Sequence, residues 1–107
     1  MSPIGGAWTE IATVQGGDHF TVLLAVEIDI ATAPALHNRL HTLIATHPAR
    51  HVVIDLADVE FCDAAGVRSL VALGRLVTDR GGTFRLRAAR AHIAWLVEFL
   101  GHGELLA

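Results

Sequence analysis

Cys62 stands directly before Asp63, a pairing of a nucleophilic side chain with a carboxylate. The thiolate is the reactive form of cysteine, and an adjacent negative charge disfavours it, so this pair points to a small residue packed under a loop rather than to covalent catalysis. Asp29, Asp55, Asp58 and Asp63 could gather at one end of a sheet, as acid–base pairs or Mg²⁺ ligands do. Loop and N-cap carboxylates are the commoner outcome, and the chain has no Gly-rich phosphate loop beside them. Among seven histidines, His37 and His41 at i and i+4 could share a metal. His41 projects off the Leu36/Leu40/Leu43 stripe, however, and no third ligand lies close in sequence. The residues therefore predict no catalytic centre, no metal site and no cofactor; an enzyme or small-ligand binder would need a pocket with convergent polar groups.

The chain that must position these residues has 107 of them, room for one domain (1–107, core about 7–106). Hydrophobic residues make up 52% and charged residues 18%, enough apolar surface to offset the entropy of ordering. A formal net charge of −3 with scattered basic residues offers phosphate backbones no footprint, so direct nucleic-acid binding is not expected. A lone cysteine excludes an intrachain disulfide and fits a reducing cytosol. The first residues lack a signal-peptide pattern and no window is apolar enough to span a bilayer, so a cytoplasmic protein without membrane insertion is expected.

The hydrophobic pattern predicts the order β-β-α-β-α-β-α. Two strands, Ala7–Val14 and His19–Ile28, flank Gln15-Gly16-Gly17-Asp18, whose glycines suit a tight hairpin. The run Phe20–Val26 is continuously apolar, which predicts a strand covered on both faces. Thr32 is positioned to cap a helix carrying Pro34 in its first turn and ending near Thr46, with Leu36, Leu40, Leu43 and Ile44 on one face. His51–Leu56 reads as a buried strand. Asp63 reads as the N-cap of a second helix whose Val67, Leu70, Val71, Gly74 and Val77 face inward, ending at Gly81-Gly82. Thr83–Arg87 is a fourth strand. A last helix, Arg90 to Leu100, turns Ile93, Leu96, Val97 and Leu100 inward before Gly101. Trp95 and Phe99 lie on its flank; if exposed together they would mark an interface, and a homodimer is an open option. Alternation of strands and helices implies a mixed sheet of about four strands, with right-handed crossovers.

The stretch Val53-Ile54-Asp55-Leu56-Ala57-Asp58-Val59-Glu60-Phe61-Cys62-Asp63-Ala64-Ala65-Gly66-Val67 resembles the signature of STAS domains, V-I-D-L-x-x-V-x-F followed by D-S-(S/T)-G-(L/V) at a helix start. Glu27-Ile28-Asp29-Ile30-Ala31-Thr32-Ala33-Pro34 is similar to the family's G-E-L-D-x-A-T-A-P step, Gly81–Leu86 to its R-G-G-x-L-x-L strand entry, and Gly101–Leu106 to its closing segment. The combination runs from Trp8 to Leu106. The resemblance implies the α/β STAS fold and a non-enzymatic interaction module of anti-sigma factor antagonist type, whose partner is a kinase-type anti-sigma factor. It implies partner-binding residues Asp29, Thr32, Asp58, Phe61, Asp63, Ala64, Ala65, Gly66, Val67 and Arg68.

The family's phosphorylatable serine falls at Ala64 and its second hydroxyl residue at Ala65. A phosphate at a helix N-terminus meets unpaired amides and the positive end of the dipole. An alanine has no oxygen to receive one, so the resemblance implies a permanently unphosphorylated surface. Ser2 and Ser69 are the other candidate acceptors, and Ser69 lies more than a turn beyond the cap. Val26 replaces the usual Gly before Glu27. Expression level, a further partner or a competing paralogue could supply control instead. The alternative reading is an accessory or structural STAS subunit of a transport or stress-sensing complex, since the family also includes lipid-transport components, stress-sensing subunits and sulfate-transporter tails.

Overall fold

The computed structural model describes residues 11–107. The hairpin strands are β1 (Ile11–Gly16) and β2 (His19–Leu24), paired antiparallel with Gly16 opposite His19. Gly17 makes the turn at φ +58, a conformation open to glycine at little cost. Residues 7–10 of the expected first strand lie outside the described residues. Helix α1 (Ala33–Thr46) leads to β3 (His51–Asp55), α2 (Ala64–Asp79) to β4 (Thr83–Arg87), and α3 (Ala91–Phe99) closes the series. The sheet order is β1-β2-β3-β4, with β2, β3 and β4 parallel. This is the expected element order.

The core sits on one face of this sheet. Phe20, Val22, Leu24, Val52, Ile54, Phe84 and Leu86 point into it, against Leu36, Leu40 and Ile44 of α1, Val67, Leu70, Leu73 and Val77 of α2, and Ile93 and Val97 of α3. The expectation that β2 is covered on both faces is overturned. Thr21 and Leu23 are half-buried and His19 is exposed, because all three helices pack on the other side. β2 also stops at Leu24 rather than Ile28. Beyond it, Ile28 leaves its neighbour strand and forms an isolated parallel bridge with Cys62.

One glycine brings helix and sheet into contact. A Cβ on Gly74 would lie 2.7 Å from the Phe84 ring, so α2 rests against β4 only because that position has no side chain. Helix α2 ends where expected: Gly81 takes φ +85, and the Gly81 and Gly82 amides donate to Thr78 and Val77 carbonyls. Gly101 ends α3 in the same left-handed conformation, at φ +90. The chain then makes a short 3₁₀ turn over Gly103–Leu105 and lays Leu106 beside Leu86, shielding the outer edge of β4. Among the described residues no helix is long and apolar enough to cross a membrane.

Candidate partner-docking site

The sequence between Leu24 and α1 folds on itself before the helix begins. The Asp29 carboxylate accepts from the Ala31 and Thr32 amides, both at 2.9 Å. The Thr32 hydroxyl accepts from the Asp29 amide at 2.9 Å and donates to the Glu27 carbonyl at 2.8 Å. Thr32 was expected to cap α1 with its side chain and does not: it is already helical at φ −94, ψ −23, and its hydroxyl is committed backwards to this turn. The backbone amide of Thr32, chiefly, holds the Asp29 carboxyl below its ordinary range; desolvation opposes this, and the Ala31 amide and Thr32 hydroxyl add to it.

A second loop joins this turn to α2. The Ile28 amide donates to the Phe61 carbonyl at 2.9 Å, and the Asp63 amide to the Ile28 carbonyl at 3.1 Å. Asp63 is the N-cap of α2, as expected, its carboxylate accepting from the Gly66 amide at 2.9 Å. A Cβ on Gly66 would lie 2.7 Å from both Cys62 Sγ and Ile28 Cγ2. The missing side chain therefore lets the start of α2 press against the bridged loops.

The ten residues expected to bind a partner divide into two groups. Asp29, Thr32, Asp63, Ala64 and Ala65 are half-buried at the surface, while Asp58, Phe61 and Arg68 are exposed. Gly66 and Val67 are instead buried, Val67 at 0% exposure, because they fall on the core side of α2. They hold the surface in place rather than form it. Ile30, which was not among the ten, is 77% exposed within the Asp29 turn.

Two hollows flank this surface. One, of about 520 Å³, is lined by Ile30, Ala33, Pro34, His37, Ala65, Arg68 and Ser69 among others. Within it His37 Nδ1 and Ser69 Oγ lie 3.1 Å apart, linking α1 to α2. The sequence left His37 at the margin of a helical stripe, and only the packing of the two helices reveals its contact. The other hollow, of about 450 Å³, lies between Val26, Thr32 and the carboxylates Glu27, Asp58 and Glu60. Asp29 and Asp63 are each committed to backbone amides of their own turns. Asp55 belongs to β3, where it pairs with Arg87 at 2.7 and 2.9 Å and accepts from the Ala57 amide. Burial raises the Asp55 pKa, but the Ala57 amide and Arg87 outweigh it and leave the carboxyl below its usual range.

A capped helix start, zipped by backbone bonds to the preceding turn and presenting small apolar residues, defines an α/β domain with a preformed surface. The chain belongs to the STAS family: the family model described as "Mlab, STAS domain" matches residues 11–107. No curated protein matches the sequence. Among solved structures, the chain is similar to the anti-sigma factor antagonist SpoIIAA of Bacillus in its unphosphorylated form, at 15% identity and TM-score 0.76, covering 91% of this chain and 85% of that one. An anti-sigma factor antagonist from Mycobacterium paratuberculosis is similar at 25% identity and TM-score 0.76, covering 90% and 80%. The murine Solute Carrier 26 family member A9 anion transporter is similar at 15% identity and TM-score 0.67, covering 84% of this chain and 14% of the transporter.

Proposed function

We propose that this chain is a non-catalytic docking module of anti-sigma factor antagonist type, which holds a kinase-type anti-sigma factor without control by phosphorylation at the start of α2. The observation that carries this reading is the helix start itself. The Asp63 cap and the Ile28–Cys62 bridge present Ala64 and Ala65 at the surface. A serine there would place a phosphate on the free amides of the first turn, where the helix dipole favours it. Alanine leaves the surface small and neutral, so binding is constitutive with respect to ATP. Ile30 and Phe61, 77% and 46% exposed, supply the apolar contacts, and Arg68 supplies a charge at the rim.

A second reading, an accessory subunit of a transport or stress-sensing assembly, is favoured by the likeness of this fold to part of an anion transporter. It uses the same surface for a different partner.

Calorimetric titration against kinase-type anti-sigma factors of the same cell separates the two, run with the native chain and the Ala64→Ser variant, each with and without ATP. The expected outcome is tight binding of the native chain that ATP leaves unchanged, and ATP-dependent release of the serine variant alone. Failure of both forms to bind would overturn the antagonist reading and leave the accessory one.

A further inference from the structure

The fold brings together two histidines that the sequence keeps far apart. Side chains alternate across a strand, and Phe20, Val52 and Phe84 point into the core, so His19, His51 and Thr83 beside them project from the open face of the sheet. His19 pairs with His51 in the parallel register of β2 and β3, and His51 with Thr83 in that of β3 and β4. The three side chains therefore stand in one row across three strands. The imidazole centroids of His19 and His51 lie 4.8 Å apart, with their planes tilted by 35°. Gly16, opposite His19 on β1, adds no side chain to the row. Backbone bonds hold the row at its base: the His51 amide donates to the Asp18 carbonyl at 2.9 Å, and the Thr83 amide to the Arg50 carbonyl at 2.8 Å.

His51 Nδ1 lies 2.7 Å from Thr83 Oγ1. Nε2 is then the nitrogen left to act as a ligand, since a metal on Nε2 keeps the proton on Nδ1, where the threonine oxygen accepts it. Such a bond at the remote ring nitrogen fixes the tautomer and orientation of a metal-binding histidine. Among the described residues the His19 imidazole has no hydrogen-bond or ion-pair partner. Two imidazoles this close reach one ion, at the ~2.0–2.1 Å of a metal–nitrogen bond, through small side-chain rotations. Neutral imidazole suits zinc, nickel and copper(II) rather than calcium or magnesium, which take oxygen ligands. The helical pair His37 and His41 is less suited: its centroids are 6.2 Å apart, and His37 Nδ1 is 3.1 Å from Ser69 Oγ.

We propose that His19 and His51 bind a divalent transition-metal ion of the zinc, nickel and copper class on the open face of the sheet, with Thr83 as the positioning residue for His51. Among the described residues no third histidine, cysteine or carboxylate joins them, so water completes the coordination and the ion exchanges readily. The ion cross-links β2 to β3 where both strands begin. The docking loops leave the other ends of these strands, after Leu24 and Asp55, so the site holds or fails independently of the partner proposed above.

Calorimetric titration of the intact chain with Ni²⁺ reads this directly, and a single ion per chain is expected to bind. His19→Gln and His51→Gln each abolish the site and leave the far-UV circular dichroism unchanged, whereas His41→Gln, which breaks the helical pair, leaves binding intact. Thr83→Val weakens binding about ten-fold and Thr83→Ser keeps it, since only valine lacks the accepting oxygen. A second readout does not depend on heats of binding: Ni²⁺ raises the thermal midpoint of the native chain and of His41→Gln, and leaves those of His19→Gln and His51→Gln unmoved. Absence of binding up to ~1 mM Ni²⁺, a concentration at which even millimolar affinity shows, overturns the proposal. So does an affinity that survives the loss of either His19 or His51, one lost with His41, or one that Thr83→Val leaves unchanged.

Discussion

Burial pushes the Cys62 thiol up to about 12, and the charge of Asp63 acts in the same direction. The thiol is therefore neutral across the physiological range, and its place is beneath Gly66 as a packing residue. Native protein should react with a disulfide reagent such as DTNB at pH 8 roughly 100-fold or more slower than a free cysteine, the rate rising with denaturant as the loop opens. Reaction at the free-thiol rate would show that the cap region is open in solution. Histidine behaves differently at this scale. His37, His92 and His51 lie within hydrogen-bond distance of Ser69, the Glu60 carbonyl and Thr83 respectively. None of these contacts could be read from spacing, because the partners are 32 residues away in every case.

Helix α2 depends on its third residue. Gly66 is buried where the helix crosses the Ile28–Cys62 bridge, and a methyl group there meets both Cys62 Sγ and Ile28 Cγ2 at 2.7 Å. Gly66→Ala gains helix propensity of up to ~1 kcal/mol but forces overpacking that costs ~1–3 kcal/mol, so a net loss of about 1 kcal/mol is expected. Urea denaturation measures it as a lowered midpoint with an unchanged slope. A stabilised variant would mean that the bridged loops give way easily and do not define the surface. The same substitution should weaken partner binding more than it weakens folding, since it displaces the Asp29 turn and the start of α2 together.

Across the whole molecule, the Asp29 and Asp55 carboxyls are both held below the usual carboxylate range, one in the turn before α1 and the other at the end of β3. A depressed carboxyl contributes stability that is fully present above the unfolded pKa and is lost as pH falls through the lower folded value. The denaturation midpoint should therefore be flat from about pH 7 to pH 5 as far as these groups control it, and fall below about pH 4. Asp55→Asn should flatten that acid limb, and an unchanged limb in this variant would remove Asp55 from the account. Arg87, half-exposed at 49%, contributes through a screened pair, for which ~0.5 kcal/mol is a reasonable scale.

The element order, the start of β3, the ends of α2 and β4, the Asp63 cap and the glycine stops were all legible in the sequence. Each depends on interactions within a few residues: a carboxylate three positions from an amide, a glycine free to take positive φ, a hydrophobic repeat. The STAS signature likewise lies in contiguous residues. Relations across the chain had to come from tertiary structure. The continuously apolar Phe20–Val26 run could not show that one sheet face stays open, because periodicity records hydrophobicity and not which side the crossovers take. Ala88 at φ +59, turning the chain from β4 towards α3, carries no sequence signal at all, since alanine does not favour that conformation. Thr32 carried a cap signal that the Asp29 turn diverted. Gly66 and Val67 belong to the family signature yet face inward, and Ile30 and the Trp95–Phe99 pair are apolar yet face outward. Apolarity favours burial only where another element is available to cover the residue, and that is settled when the helices pack.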